Sequence, residues 1–181
     1  MRILLILVSL LLAAGTAAAQ VLNGDFEAGA TGWVSTVPSG CPVVDPTGGN
    51  PGGCGLLPYY TTSATCDGSL SQTFDCGAPG GSCEISFDYR VDFLGGVGAV
   101  VFGLTFDGGG TWPFSANGAT AGWQSASVTV PCGTVTMAFG VVTATRTIQD
   151  WEFRVDNVTA SCVDPVAAET RAWGGLKAIY R

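Results

Sequence analysis

Asn23-Gly24-Asp25-Phe26-Glu27-Ala28-Gly29, closed by Gly32-Trp33, is the stretch on which the reading of the fold turns. Apolar Val21 and Phe26 flank a polar, turn-rich segment, so Val21 to Glu27 reads as an irregular first strand. Trp33 follows closely, and a side chain of that size is expected to cap one end of a core.

Upstream, Arg2 precedes an apolar run from Ile3 to Leu12 and then Ala17-Ala18-Ala19. A charged start, an apolar stretch and a small-residue site make residues 1–20 a signal peptide, cleaved before Gln20 or Val21. The apolar part is shorter than the roughly 20 residues of a membrane helix, so no span remains after cleavage. The expected location is secreted, extracellular or at the cell surface. Without Arg2 the chain has 6 basic and 14 acidic residues, a net charge of −8. Between Val21 and Val163 only Arg90, Arg146 and Arg154 oppose twelve carboxylates, a balance that repels phosphate backbones and excludes nucleic acid as partner. Such a surface suits Ca²⁺, which prefers carboxylate and carbonyl oxygens. Seven cysteines in an exported chain are expected mostly as disulfides. With no His and no Cys-x-x-Cys, zinc is a poor alternative.

Beyond Trp33, residues 38–65 read as a long irregular insertion, broken by five prolines and six glycines. Cys41 and Cys54 are the expected staple, closing a loop worth about 3 kcal/mol of chain entropy. Tyr59 and Tyr60 follow on that loop as a candidate aromatic platform. Ser69 to Cys76 alternates with period two, and Cys83 to Phe93 runs back with Cys83, Ile85, Phe87, Tyr89 and Val91 on one face and Glu84, Ser86, Asp88, Arg90 and Asp92 on the other. Cys76 and Cys83 flank the turn between these strands and are the second expected pair. Ala99 to Asp107 reads as a strand apolar on both faces, ending in a glycine-rich turn that carries Trp112. No Lys-Ser or Lys-Thr follows that turn, so it is not a phosphate loop. Trp123 to Val130, Thr134 to Thr143 and Trp151 to Ser161 complete the strands, and Cys132 with Cys162 is the third expected pair, leaving Cys66 over. Asp164-Pro165 has the form of a helix start. Residues 164–181 therefore read as a short helical tail, which also holds Arg171, Lys177 and Arg181.

The chain resembles the carbohydrate-binding modules associated with cellulases and xylanases, within the galactose-binding-like jelly-roll superfamily. The matching pieces are Asn23 to Glu27 with Gly32-Trp33, Leu70 to Phe74, Ile85 to Arg90, Gly122-Trp123-Gln124, and Phe153 to Val158. The resemblance implies an all-β jelly-roll sandwich of two antiparallel sheets over residues 21–163, with the opening and closing strands side by side. It also implies a structural Ca²⁺ where they meet, held by Glu27, Asp156 and the carbonyl of Asp25, and a glycan or cell-surface polysaccharide as partner. Sugars in such modules stack on exposed aromatic rings, for which Tyr59, Tyr60, Trp112 and Trp151 are the candidates. An enzyme is not expected: without His no Ser-His-Asp or Cys-His arrangement is possible, and no carboxylate pair stands out for glycoside hydrolysis. The competing expectation is a structural or adhesive surface protein that uses the sandwich as a spacer and the tail as a sorting or docking peptide.

Overall fold

A computed structural model of the protein describes residues 20–61, 66–77, 79–145 and 148–163. Ten strands run in chain order as β1 (Val34–Ser35), β2 (Val44–Asp45), β3 (Cys54–Tyr60), β4 (Ser69–Asp75), β5 (Ser82–Gly96), β6 (Val100–Thr105), β7 (Phe114–Asn117), β8 (Gln124–Pro131), β9 (Thr134–Ala144) and β10 (Gln149–Val163). They form two five-stranded antiparallel sheets, sheet I in the order β1-β4-β9-β6-β7 and sheet II in the order β2-β3-β10-β5-β8.

The alternating patterns account for the packing. Ile85, Phe87 and Val91 of β5 and Phe153 and Val155 of β10 are buried with Leu70 and Phe74 of β4, Phe102 and Leu104 of β6, and Met137 and Phe139 of β9 in one core. Aromatic rings join the two sheets: Phe153 of sheet II stacks on Phe102 of sheet I at 5.4 Å, and Phe87 meets Phe139 edge-on at 5.1 Å. Each such contact adds about 0.5–1.5 kcal/mol beyond the area it buries. Trp33 is buried as expected, stacked on Phe26 at 4.9 Å, with its indole N–H donated to the Asn23 carbonyl at 3.1 Å.

Several expectations are corrected. Residues 21–27 form turns, not a strand, and the first strand is β1. Asn23 and Phe26 have φ of 49° and 53°, outside the range of extended backbone. The segment is held by other means: the Gln72 side chain accepts from Leu22 N and donates to the carbonyls of Leu22 and Gly32, and Val158 N donates to Gly24 O at 2.9 Å. The opening and closing segments thus do lie together. Within 38–65 the chain is not all irregular, because Cys54–Tyr60 is an inner strand between β2 and β10. Pro58 survives there because Leu56 N, of the same parity, points to the β2 side at Val43 O, and β2 pairs only with Cys54 and Gly55. The missing N–H of Pro58 therefore faces an edge.

The cysteine pairing also differs. Cys41 bonds Cys66 rather than Cys54, at a Cα separation of 5.9 Å, tying the far side of β3 to the loop that precedes β2. Cys54 and Cys76 are buried thiols, as is Cys132, so the pairs Cys41–Cys54, Cys76–Cys83 and Cys132–Cys162 do not form. Cys83 is disulfide-bonded, and its register partner on β10 is Cys162. Alternation had put Cys76 and Cys83 at the ends of one hairpin, but β4 and β5 belong to different sheets. The helical tail proposed for 164–181 and the signal peptide up to residue 19 lie outside the described residues.

Candidate functional site

Each sheet turns one face outward, and the two faces differ in chemistry. On sheet II, β5 presents Asp88, Arg90 and Asp92, and the register sets them beside Asp156, Arg154 and Glu152 of β10. Arg154 is the hub. Its guanidinium contacts Asp92, donates to Glu152 Oε2 at 2.6 Å and lies 3.5 Å from Asp45. Arg90 donates to the same Asp92 carboxylate at 2.9 Å and lies over the Trp123 ring at 5.7 Å. The Tyr60 hydroxyl donates to Glu152 Oε1. Burial and then the Glu152 carboxylate push the Tyr60 hydroxyl well above its usual range, so it remains a donor. Backbone N–H from Thr47 chiefly lowers Asp45, against burial and with help from Arg154. Cys54 is raised to about 12 by burial, which leaves an inert thiol.

A second polar group lies at the other end of this face. Asp156 has no exposed surface. It accepts from Asn50 N at 2.6 Å and Asn157 N at 2.7 Å. Asn157, with φ 52° at the irregularity in β10, donates its side-chain amide to Asn50 O and Asp88 Oδ2. Burial raises the Asp156 carboxyl, and the neighbouring Asp88 and Asp25 add to this. Asp88 is also penalised by burial, but hydrogen bonds from Ser125, Asn157 and Asn50 outweigh it and hold it low. Glu27 accepts from Gly53 N at 2.9 Å. Glu27 and Asp156 therefore grip one loop, residues 50–53, from its two ends. Asp25 is exposed, and among the described residues no three acidic or Cys side chains converge on a metal position.

The outward face of sheet I carries no charge at its centre. Gly103 of β6 and Gly140 of β9 are register partners, flanked by Ser115 of β7 and Ser69 of β4 in the same row. The next row holds Ala138 and Ser71. Trp112 folds back from the β6–β7 turn onto the two glycines. A Cβ at Gly103 would lie 2.8 Å from Trp112 Cε3, and one at Gly140 would lie 3.6 Å from Cη2. Both glycines are buried while Trp112 is half-buried, so the indole rests on backbone below and keeps part of its surface in solvent. Thr73, Thr136 and Thr134 continue the surface with hydroxyls, the first two bonded to each other at 2.7 Å.

The four candidate aromatics are thus not one platform. Tyr59 and Trp151 are register partners inside the core, with Trp151 N–H donated to Gln149 and its ring against Phe93 at 4.7 Å. Their assignment as ligand-stacking rings is corrected. Tyr60 faces outward on sheet II and is engaged by Glu152, while Trp112 is alone on sheet I. Sequence reasoning gave no role to Asn50, which carries no motif, or to Asn157, which lies in the closing motif but 107 residues from Asn50. It also missed the Gly103–Gly140 seat, which only the pairing of β6 with β9 creates.

No family model matches the chain, and neither does any curated protein. Its fold is that of carbohydrate-binding modules. A CBM4 module superposes with a TM-score of 0.50 at 14% identity, over 76% of this chain and 99% of that one. The K3 cleaved adhesin domain of Lys-gingipain from Porphyromonas gingivalis W83 gives 0.55 at 19% identity, over 78% and 98%. The CBM22-1–GH10 modules of Clostridium thermocellum xylanase 10B, complexed with xylohexaose, give 0.51 at 15% identity, over 80% of this chain and 29% of that one.

Proposed function

We propose that the protein is a secreted, non-catalytic glycan-binding module whose ligand lies across the outward face of sheet I, stacked on Trp112. The observation that carries this reading is the seat of Trp112: a half-buried indole fixed on two glycines, beside small and hydroxyl-bearing side chains. A pyranose presents an apolar face to such a ring and hydroxyls to its polar surroundings, and a ring already in place loses little entropy on binding. The fold it shares with part of the CBM22-1–GH10 modules complexed with xylohexaose supports the same reading. Tyr60 is left out of the site because its hydroxyl is committed to Glu152 on the opposite sheet. Secretion is supported by the Cys41–Cys66 disulfide, a bond that persists in oxidising compartments.

A structural Ca²⁺ belongs to this proposal, held by Glu27, Asp156 and the Asp25 carbonyl. The donors are hard oxygens, and Asp156 is a buried carboxylate with no salt-bridge partner among the described residues. If the ion is held there, Ca²⁺ raises the melting temperature of wild type, chelator lowers it, and Glu27→Gln removes the difference. An unchanged transition in chelator sinks the ion.

The test of the function is binding of the protein to soluble xylo- and cello-oligosaccharides and to insoluble cellulose and xylan, with Trp112→Ala alongside. Saturable binding that Trp112→Ala abolishes establishes the platform. Binding unaffected by Trp112→Ala refutes it, and no binding to any glycan favours the adhesive or spacer reading, for which the fold of the gingipain adhesin domain is the support.

A further inference from the structure

We propose that Asp107 is the positioning residue of the Trp112 platform, an inference that rests on the glycan-binding reading above. Asp107 Oδ1 accepts from the Thr105 hydroxyl at 2.8 Å and from Thr111 N at 3.0 Å, and Oδ2 accepts from the Thr111 hydroxyl at 2.7 Å. Thr105 Oγ1 accepts from Gly109 N at 3.0 Å and Asp107 N at 3.3 Å. One carboxylate thereby joins the last residue of β6, two positions after the glycine under the ring, to the residue just before Trp112.

Between these anchors lie Gly108, Gly109 and Gly110, the first two at φ of 75° and 102°. Three successive glycines have more conformational freedom to lose than any other tripeptide, so their order must come from outside their own backbone. Backbone conformation requires glycine at Gly108 and Gly109, and space bears mainly on Gly110, since a Cβ at Gly108 would meet nothing within 4 Å. A Cβ at Gly109 would lie 3.4 Å from Trp112 Cζ2, and one at Gly110 would lie 3.0 Å from Asp107 Oδ2. The turn is thin enough to pass beside the indole and too flexible to hold it, and the carboxylate supplies the rigidity. The same hydrogen bonds, led by that from Thr111 N, hold the Asp107 carboxyl well below its usual range, so the clamp stays ionised in acid. Both Asp107 oxygens are spent on the turn, which makes its part in binding indirect.

The test uses the full chain labelled with 5-fluorotryptophan. Trp112→Phe assigns the Trp112 fluorine resonance among those of the five tryptophans. Asp107→Ala is expected to shift and broaden that resonance and leave the buried Trp33 and Trp151 signals in place. It is also expected to weaken binding of xylohexaose or cellohexaose by about 3–10-fold, the cost of ordering a loosened side chain on binding. Asp107→Asn, which keeps one acceptor oxygen, falls between. An Asp107→Ala protein with wild-type affinity and an unmoved Trp112 resonance overturns the positioning role. If Trp112→Ala itself binds like wild type, the platform falls; if Trp112→Ala loses binding and Asp107→Ala does not, only the positioning role falls.

Discussion

Gly103 and Gly140 face each other across the β6–β9 ladder, yet the same substitution should act on them in opposite directions. Neither has a positive φ, so alanine is acceptable to the backbone at both, and space alone decides. At Gly103 the added Cβ would lie 2.6 Å from Val142 Cγ2, 2.7 Å from the Phe114 carbonyl and 2.8 Å from Trp112 Cε3. The Phe114 carbonyl sits in the β6–β7 ladder and cannot retreat without loosening it, so the indole must lift. Overpacking of this kind costs about 1–3 kcal/mol. The restriction of the unfolded chain by Gly→Ala returns about 0.4–1 kcal/mol. Gly103→Ala should therefore destabilise by about 1–2 kcal/mol and weaken glycan binding. At Gly140 the nearest atoms, Gly68 O, Ser69 Cβ and Trp112 Cη2, are all 3.6 Å away, an ordinary contact. There the unfolded-state gain stands alone, and Gly140→Ala should be neutral or stabilise by up to about 1 kcal/mol with binding intact. Urea denaturation read at constant slope, with oligosaccharide titration of each variant, measures both. Equal losses at the two positions, or a Gly103→Ala protein as stable and as tight as wild type, would refute the seat.

The Cys41–Cys66 bond closes a separation of 25 residues, so converting both to Ser should cost about 3.5 kcal/mol by chain entropy, seen as a lower urea midpoint. Arg154→Ala strips the shared partner from Asp92, Glu152 and Asp45 and should cost about 3–5 kcal/mol, with Glu152→Gln restoring part of it; an Arg154→Ala protein within 1 kcal/mol of wild type would show the hub to be solvated. The Asp107 carboxyl is lowered in the folded state, so its contribution is fully present above the unfolded value near 3.8 and is lost only as pH falls through the lower folded value. The Trp112 signal should thus be the same at pH 7 and pH 4, and a transition between them would contradict the clamp. Tyr60→Phe removes the donor to Glu152 on sheet II and should lower stability modestly while leaving glycan affinity unchanged.

Period-two alternation made β4, β5, β8 and β9 legible, because each buries one side against the core and leaves the other wet. β7 was missed because Phe114–Asn117 has four residues and sits between glycine-rich turns. β3 was hidden by Pro58 and by burial on both faces, which erases alternation. The Cys76–Cys83 pair was misassigned because hairpin proximity was inferred between strands that belong to different sheets. Of the site, Trp112 and the Glu27–Asp156 neighbourhood could be named from residue type and motif. What seats Trp112 could not, since Gly103 and Gly140 are 37 positions apart and look like any other glycines until their strands are paired.

The two outer faces differ in electrostatics, and the proposed placement of the glycan on sheet I follows from that difference. Both described arginines lie on sheet II, where Arg90 and Arg154 gather Asp92, Glu152 and Asp45 and bind the stapled loop to the sheet. A ligand there would have to displace ion pairs that are half-buried or better, and such pairs are costly to leave unpartnered. Sheet I offers the reverse: backbone, hydroxyls and one indole, with no charge to desolvate at the ring. The carboxylate closest in sequence to the ring, Asp107, is turned into the loop and serves the ring's position. Binding on that face should therefore vary little with salt between 50 and 500 mM, where a site on sheet II would respond through its ion pairs. A steep salt dependence of oligosaccharide affinity would move the site to the Arg154 face and take Trp112 out of it.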